Sequence, residues 1–275
     1  MTNRLLVRMR KSFHLEFIIT SNVEFARLTE TAFNDYNPAS VYGYMLRIRT
    51  KFLLLSVFCV FAASGCHTSK HAAKPAQWEI LFDGTSMDHW RGYRRSSFPD
   101  KAWMVENGTL KTIKGGETVD LITKDQYQNF ALDLEWRISS NGNSGVMIRV
   151  TEDAKETWQS GPEMQILDDE AHAGHENPKT SAGALYDLIA PVNKHLNPVG
   201  EWNHVGILVD GNHVEYWLNG YKVVQYELDS DALGALIARS KFKDLPEFAR
   251  AETGYIALQS HHSEVWFRNI KIRRR

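Results

Sequence analysis

The sequence predicts an all-β domain, either a β-sandwich or a jelly roll, with one short helix. From about residue 78 onward, short runs of alternating apolar and polar residues recur, as is typical of strands with one buried face. Turn dipeptides separate these runs at Asp83-Gly84, Asn107-Gly108 and Asn219-Gly220, because these residue types tolerate positive φ. A chain of 275 residues with 43% hydrophobic residues can bury a large core.

The predicted strands are, in chain order, WEILF, AWMVENG, TLKTI, DLITK, NFALDLEWRI, SGVMIRV, EMQIL, ALYDLIA, WNHVGILVDG, HVEYWLNG, YKVVQYEL, GYIALQSH and VWFRNIKIR. The helix is predicted within DSDALGALIARSKF. Asp229 or Ser230 can cap this segment, and Leu233, Leu236 and Ile237 share one helical face.

The charge balance gives no broad electrostatic surface for a polyanion. The chain has 32 basic and 33 acidic residues, for a net charge of -1, so nucleic acid is not an expected partner. The sequence also contains no nucleophile elbow, P-loop, dinucleotide fingerprint or His-Glu-x-x-His zinc motif. Enzyme classes that carry those motifs therefore receive no support.

An apolar segment in the N-terminal third predicts export. Within residues 45–65, three basic residues precede the apolar run Phe52–Ala63, and this is the pattern of a signal peptide. The run is short for a membrane-spanning helix, which favours cleavage over a permanent anchor. Small residues then lead to Cys66, and this junction resembles the lipobox of bacterial lipoproteins, in which the cysteine carries the lipid.

The flanking segments complete the predicted domain organisation. Residues 1–44 are interpreted as a non-native upstream extension, because translation is expected to start at Met45. Residues 66–77 form a polar tether, and residues 78–275 form the folded domain. The lipid anchor would place the domain at a membrane of the cell envelope. His67 is not the aspartate associated with inner-membrane retention, so the outer membrane is the expected location.

A polar sheet face is predicted around GPEMQILDDE. In an extended chain alternate side chains share a face, so Glu163 and Gln165 point away from the two apolar residues beside them. The same parity argument assigns Arg149, Gln259 and His261 to polar faces. Such residues either line a groove of the kind that binds carbohydrate or simply meet solvent.

The loop after that strand, DDEAHAGH at residues 168–175, gathers carboxylates and histidines. These residue types bind divalent cations. Their spacing matches no fixed ligand pattern, however, and charged loop residues at a strand end are commonly solvated. A metal site and a solvated loop therefore both stay open.

The order of motifs along the chain resembles the 3-keto-disaccharide hydrolase family over Trp78 to Ile272. The segments that carry the resemblance are LFDGTSMDHW, WMVENGTLK, NFALDLEWRISSNGNSGVMIRV, GPEMQILDDE, GALYDL, EWNHVGILVDGNHVEYWLNG and GYIALQSHHSEVWFRNIKI. The resemblance implies a concanavalin-like jelly roll that is often an exported lipoprotein and acts on glycosides oxidised at C3.

The chemistry that the resemblance implies is elimination followed by hydration. A C3 ketone acidifies the C2 proton, so a base can remove it and expel the C1 substituent, and water then adds to the enone. The paired carboxylates of ordinary glycosidases are not needed.

The resemblance also implies a set of site residues. The family's motifs fall on Asn143, Ser144, Gly145 and Arg149 in the NSG strand, Glu163, Gln165 and Asp168 in the GxExQ strand, Tyr186 in GALYD, and Gln259 and His261 in the LQ-x-H segment. Glu163 or His261 is expected as the base. Arg149 is expected to clamp the enolate or a hydroxyl, and Tyr186 is the candidate acid. The substrate-binding candidates are Asn143, Gln165, Asp168 and Gln259.

The chain departs from the family where relatives often read LQDHG. It has LQSHH at residues 258–262 and so loses an acidic residue and a glycine. A divalent cation that stabilises the enolate is compatible with the chemistry, but the residues do not establish one. The alternative function is a non-catalytic carbohydrate-binding lipoprotein, and an ordinary glycosidase would require two carboxylates across the groove.

Overall fold

The computed structural model describes residues 77–172 and 176–275, and these residues form two antiparallel sheets and one short helix. The strands are β1 Glu79–Phe82, β2 Trp90–Gly92, β3 Trp103–Glu106, β4 Thr109–Thr112, β5 Leu121–Thr123, β6 Phe130–Ile138, β7 Asn143–Val150, β8 Glu163–Leu167, β9 Asn203–Asp210, β10 His213–Leu218, β11 Tyr221–Glu227, β12 Tyr255–Leu258 and β13 Val265–Arg274. Helix α1 spans Asp231–Ile237, and 3-10 turns lie at Thr157–Gln159 and Pro178–Thr180.

The predictions for residues 1–76, which include the signal peptide, the lipidated Cys66 and most of the tether, lie outside the described residues. Within residues 77–172 and 176–275, no helix has the length and apolarity needed to cross a bilayer.

The two sheets have different sizes. Sheet A has eight strands in the order β11-β10-β9-β6-β13-β4-β3, with β1 pairing on β13, and sheet B has five in the order β2-β5-β12-β7-β8. Strand β6 alternates buried and half-buried residues along its whole length, as the sequence pattern predicts. This all-β jelly-roll architecture confirms the predicted fold class.

The core lies between the two sheets and uses one face of each. From sheet B, Val146 and Ile148 of β7 and Met164 and Ile166 of β8 join the same buried cluster as the inward residues of sheet A. Because alternate residues of a strand point in opposite directions, this leaves the second face of β8 directed away from the core. That second face carries the site described below.

The predicted strand ALYDLIA is wrong, because these residues form a compact turn. Leu185 makes only isolated bridges to Met164 and Ile189, and Asp187 has a φ of 61°, which turns the chain back on itself. Strand β2 was not predicted, since three residues are too few to show a periodicity. The predicted helix forms, and the Ser230 hydroxyl accepts a hydrogen bond from the Leu233 N–H at 3.2 Å.

A β-bulge in β7 changes the direction of its last side chains. Arg149 has a φ of 51°, and the pairing of β12 with β7 shifts register between Tyr255 and Ala257. Beyond Ile148 the alternation is therefore inverted, and Val150 joins the outer cluster that contains Met147. The bulge packs tightly on a glycine, because a Cβ at Gly254 would lie 2.5 Å from the carbonyl carbon of Arg149.

We predict that Gly254→Ala lowers the free energy of unfolding by about 1 to 3 kcal/mol, because the added methyl group meets backbone atoms that cannot move independently. The matched control is Gly234→Ala in α1, where a Cβ has no heavy atom within 4 Å. Alanine at that position should raise the free energy of unfolding by about 0.5 to 1 kcal/mol. Urea denaturation measures both, and equal midpoints for Gly254→Ala and the unmodified protein would contradict the prediction.

Candidate active site

Glu163 lies at the start of β8 on the outer face of sheet B. Its side chain is only 5% exposed and that of Gln165 is 2% exposed, while the intervening Met164 belongs to the core cluster. The parity prediction for these residues is therefore confirmed. The face is not a solvent-exposed one, because loops cover it.

A glycine makes room for the Glu163 carboxyl. Gly145 of β7 pairs with Gln165 of β8, and a Cβ on Gly145 would lie 2.0 Å from Glu163 Oε1. Any side chain at this position would displace the carboxyl. The glycine of the NSG motif therefore has a steric role: because it has no side chain, the Glu163 carboxyl can pack against the backbone of β7.

The Gln165 amide connects Asn143 to Glu163. Its Nε2 donates to Asn143 Oδ1 at 3.2 Å, which leaves Gln165 Oε1 as an acceptor for a protonated Glu163. With the amide turned over, its NH2 group donates to Glu163 Oε1 at 3.1 Å and to the Ser144 carbonyl at 3.3 Å. Since an amide offers both a donor and an acceptor, Gln165 can satisfy Glu163 in either protonation state.

Tyr186 and Lys241 lie beside Glu163 on two loops. The Tyr186 N–H donates to the Glu163 carbonyl oxygen at 3.0 Å. The Lys241 Nζ lies 4.1 Å from the centre of the Tyr186 ring and 4.7 Å from that of Trp158. The Lys241 N–H donates to Asp187 Oδ2 at 2.9 Å, and this bond ties the lysine loop to the turn that carries Tyr186.

Lys241 and Trp158 were not predicted as site residues. Lys241 was included in the predicted helix segment, but α1 ends at Ile237 and the lysine belongs to the following loop. Nothing in the local sequence distinguishes it from other lysines. Its position depends on contacts with residues far away in the chain, which only the fold brings together.

Burial changes the acid-base properties of these groups. Burial raises the pKa of the Glu163 carboxyl to about 8, while the Lys241 charge opposes this rise. Partial desolvation lowers the pKa of Lys241, against the attraction of Glu163 and Asp187. The two pKa values therefore shift toward each other. Burial and the Glu163 charge raise the pKa of Tyr186, which keeps its hydroxyl protonated at neutral pH.

A second acid, Asp120, is an unpredicted residue beside this group. Its Oδ1 accepts from the Ser260 N–H at 2.8 Å, and the Thr157 hydroxyl donates to its Oδ2. Desolvation raises its pKa to about 6, and its negative charge contributes to the raised pKa of Glu163. Asp120 is the first residue of the predicted strand DLITK and precedes β5, and nothing in the sequence distinguishes it from other acidic residues at strand ends.

His261 and Gln259 lie at the edge of the site. The Gln259 N–H donates to the Gly145 carbonyl at 2.9 Å, which aligns this residue beside the glycine. Desolvation lowers the pKa of the His261 imidazole, and the nearby His262, His172 and Lys241 lower it further. His261 therefore shares the electrostatic environment of Lys241 and is neutral at pH 7.

Arg149 does not lie with these residues, contrary to the prediction. The bulge directs its guanidinium elsewhere, and its Nη2 donates to the Gly211 carbonyl at 2.6 Å and to the Gln128 carbonyl at 3.4 Å. These carbonyls belong to connections at the end of the sandwich. The predicted role of Arg149 as an enolate clamp thus lacks geometric support, because parity cannot be counted through a bulge.

Asp168 is also engaged elsewhere. Its carboxylate accepts from the Asn141 N–H at 2.9 Å and from the Ala171 N–H at 3.3 Å, so it holds two loops together. Among the described residues, no group of three or more His, Cys, Asp or Glu side chains is placed to hold a metal ion. Three residues of the predicted metal loop, 173–175, lie outside the described part of the chain.

Comparison with known proteins identifies relatives over this domain. Residues 77–273 match the family model for a 3-keto-alpha-glucoside-1,2-lyase-like domain. A 3-keto-disaccharide hydrolase from Bacteroides thetaiotaomicron is 33% identical over 224 residues, which are 70% of this chain and 77% of that protein.

Solved structures agree with this match. A candidate glycosyl hydrolase from Parabacteroides distasonis is 29% identical with a TM-score of 0.66, and the match covers 71% of this chain and 93% of that one. A second from the same organism is 30% identical with a TM-score of 0.60, covering 72% and 100%.

We predict that Glu163→Gln stabilises the protein and that the gain grows with pH. The folded state raises the carboxyl pKa from the usual 4.5 to about 8, so this group's contribution to stability is complete below pH 4.5 and is lost as pH rises to 8. The variant lacks that loss, and its advantage should grow by on the order of 3 kcal/mol over this range.

Urea denaturation at pH 5, 6.5 and 8 measures this advantage. The control is Glu201→Gln at an exposed surface position, which should change the free energy of unfolding little at any of these pH values. An advantage of Glu163→Gln that is constant or shrinking with pH would contradict the assignment of a raised carboxyl pKa.

Proposed function

Because the chain belongs to the family of 3-keto-alpha-glucoside-1,2-lyase-like domains, we propose that it cleaves the glycosidic bond of 3-keto-glycosides or 3-keto-disaccharides. The curated relative that is named a 3-keto-disaccharide hydrolase supports this substrate class. The proposal depends on one pair of residues. Glu163 has a buried carboxyl with a raised pKa, and it interacts electrostatically with Lys241, whose pKa is lowered. Shifted values of this kind are typical of acid-base sites.

Glu163 acts as the base in the proposed first step. Its carboxylate takes the C2 proton, and the electron pair of that C–H bond forms the enolate whose charge lies on the C3 oxygen. Burial makes this carboxylate a stronger base than an ordinary one. The Gln165 amide can donate to the carboxylate before the transfer and accept from the carboxyl after it.

Lys241 replaces Arg149 as the cation that stabilises the enolate. Its ammonium group lies over the Tyr186 ring, and its charge acts on the Glu163 carboxyl. A fixed cation near the C3 oxygen stabilises the negative charge that develops there, and this effect is large where water is excluded. The Lys241 pKa is lowered by desolvation, so it can also share a proton with the enolate.

The remaining steps break the bond and add water. The enolate collapses, the C1–O bond breaks, and the leaving oxygen takes a proton from the Tyr186 hydroxyl, which its raised pKa keeps protonated. Water then adds to the enone: its hydroxyl bonds to C1, its proton returns to the Tyr186 oxygen, and Glu163 gives the proton that it took back to C2. The net result is hydrolysis, and both residues regain their starting protonation states.

Two other functions have less support. A non-catalytic carbohydrate-binding protein would gain nothing from burying a carboxyl whose ionisation opposes folding. An ordinary glycosidase needs two carboxylates facing one sugar, but the nearby Asp120 is used by Ser260 and Thr157.

We also propose that the protein is an exported lipoprotein anchored at Cys66 in the cell envelope, on the support of the signal-peptide pattern at residues 45–65. Metabolic labelling with a clickable fatty acid tests this. Label that is lost in Cys66→Ala supports the anchor, and label that persists in the variant contradicts it.

We predict that the full-chain protein releases sugar from a 3-keto-glucoside and not from the unoxidised glucoside. Glu163→Gln should lower kcat/KM by at least about 100-fold, and Lys241→Met by about 10- to 1000-fold. The matched control is Lys243→Met, an exposed lysine two residues away, which should retain full activity. Measurements with and without chelator test for a metal requirement.

Full turnover by a folded Glu163→Gln variant would remove Glu163 as the base. Binding of the keto-glucoside without turnover by the unmodified protein would instead favour the carbohydrate-binding function.

We predict that kcat/KM for the keto-glucoside rises from pH 6 through pH 8 and levels off at about pH 9. Glu163 must be ionised to accept the C2 proton, and its pKa of about 8 leaves it mostly protonated at lower pH. A profile that falls over the same range would assign Glu163 the opposite role, as a proton donor.

A further inference from the structure

A row of alternating indoles and cations crosses the outer face of sheet A. Arg137 of β6, Trp266 of β13 and Lys111 of β4 are register partners on adjacent strands, and Trp202 directly precedes β9 on the other side of Arg137. The Arg137 Cζ lies 4.5 Å from the ring centre of Trp266 and 5.0 Å from that of Trp202. The guanidinium is therefore held between two indole rings.

A cavity of about 280 Å³ opens at this row. Its lining combines both indoles and Arg137 with polar groups from the β3–β4 hairpin, namely Glu106, Asn107 and Thr109. Both tryptophans are half-buried, so part of each ring stays accessible. Apolar ring surface next to hydrogen-bonding groups is the composition of sites that bind small polar ligands.

Arg137 differs from the other cations of the row, Arg268 and Lys111. Arg268 pairs with Glu135 at 2.6 Å, and Lys111 pairs with carboxylates at 3.0 and 3.3 Å. The Arg137 guanidinium makes no ion pair or hydrogen bond with any residue in the described part of the chain, and its contacts there are with the two indoles. The N–H donors of this half-buried guanidinium are therefore free to bind an acceptor from outside the protein.

We propose that this cavity binds an acidic sugar residue of the hexuronate class. The planar guanidinium of Arg137 matches a carboxylate in a bidentate arrangement, and Asn107 and Thr109 in the lining offer hydrogen bonds to the sugar hydroxyls. Arg268 and Lys111 lie over the outer faces of the two indoles, with the Arg268 Cζ 3.9 Å from the Trp202 ring centre and the Lys111 Nζ 5.2 Å from that of Trp266, so the rings contribute their edges to the cavity. The volume lies just below the roughly 300 to 1,000 Å³ of typical small-molecule sites. It therefore holds one sugar residue rather than a long segment of a chain.

This site is separate from the one around Glu163. The neighbours of Arg137 on β6, Trp136 and Ile138, point into the core, so Arg137 faces outward from sheet A. Glu163 faces outward from sheet B, beyond the core. The bound acid therefore cannot be the sugar that is cleaved, and it serves to hold a larger acidic glycan against the back of the domain.

Isothermal titration calorimetry with α-1,4-linked trigalacturonic acid tests the proposal, with maltotriose as the neutral probe of the same linkage. The acid should bind to the full-chain protein with a Kd of roughly 0.1 to 1 mM, and maltotriose at least about tenfold more weakly. Arg137→Met should weaken binding of the acid at least about tenfold. The matched control, Arg273→Met, removes another arginine that stacks on a tryptophan, Trp78, and should leave binding unchanged.

Arg137→Lys keeps a cation between the indoles but loses the planar fork, so it should also weaken binding while preserving the melting temperature. Glu163→Gln should bind the acid as the unmodified protein does, and Arg137→Met should keep its turnover of the keto-glucoside. Absence of binding, equal affinity for maltotriose, or undiminished binding by Arg137→Met would each overturn the proposal.

Discussion

The site depends on the burial of one carboxyl, that of Glu163, on the outer face of a small sheet. Removing a carboxylate from water is costly, and the cost appears as a raised pKa. The surrounding residues reduce that cost in different ways. Gly145 leaves space for the group, Gln165 offers it either a donor or an acceptor, and Lys241 supplies an opposite charge. Each of these residues is explained by the one buried acid.

The fold tolerates the unfavourable free energy of burying Glu163, because its stability comes from the apolar core between the two sheets. The apolar residues of β7 and β8 face sheet A and belong to one large core, so the polar face of the same strands does not interrupt it. Loops then cover the polar face and exclude water. The turn at Leu185–Ile189 places Tyr186 beside Glu163, and the segment after α1 places Lys241 over the Tyr186 ring. The core fixes the strands, and the loops determine the chemistry.

Local patterns in the sequence predict the strands and their faces well, because alternation reports directly on burial. They placed Glu163 and Gln165 correctly on one face. They failed for Arg149, since a non-glycine residue at positive φ inverts the alternation and leaves no mark in the residue pattern. They also missed Lys241 and Asp120, whose positions depend on contacts between distant segments. The apolar alternation of ALYDLIA is satisfied by a tight turn as well as by a strand, and the sequence does not distinguish the two.

The two sites on the outward faces of the sandwich use different cations, and the difference is physical. A lysine changes its pKa readily when it is desolvated, so Lys241 beside Glu163 is suited to a step in which protons move. An arginine stays charged in proteins and presents a rigid fork, so Arg137 between Trp202 and Trp266 is suited to holding an anion without reacting. Exchanging the two would give the catalytic face a cation that cannot release its proton, and the opposite face a point charge without the planar fork. The use of Lys241 in one site and Arg137 in the other therefore follows from what each site has to do.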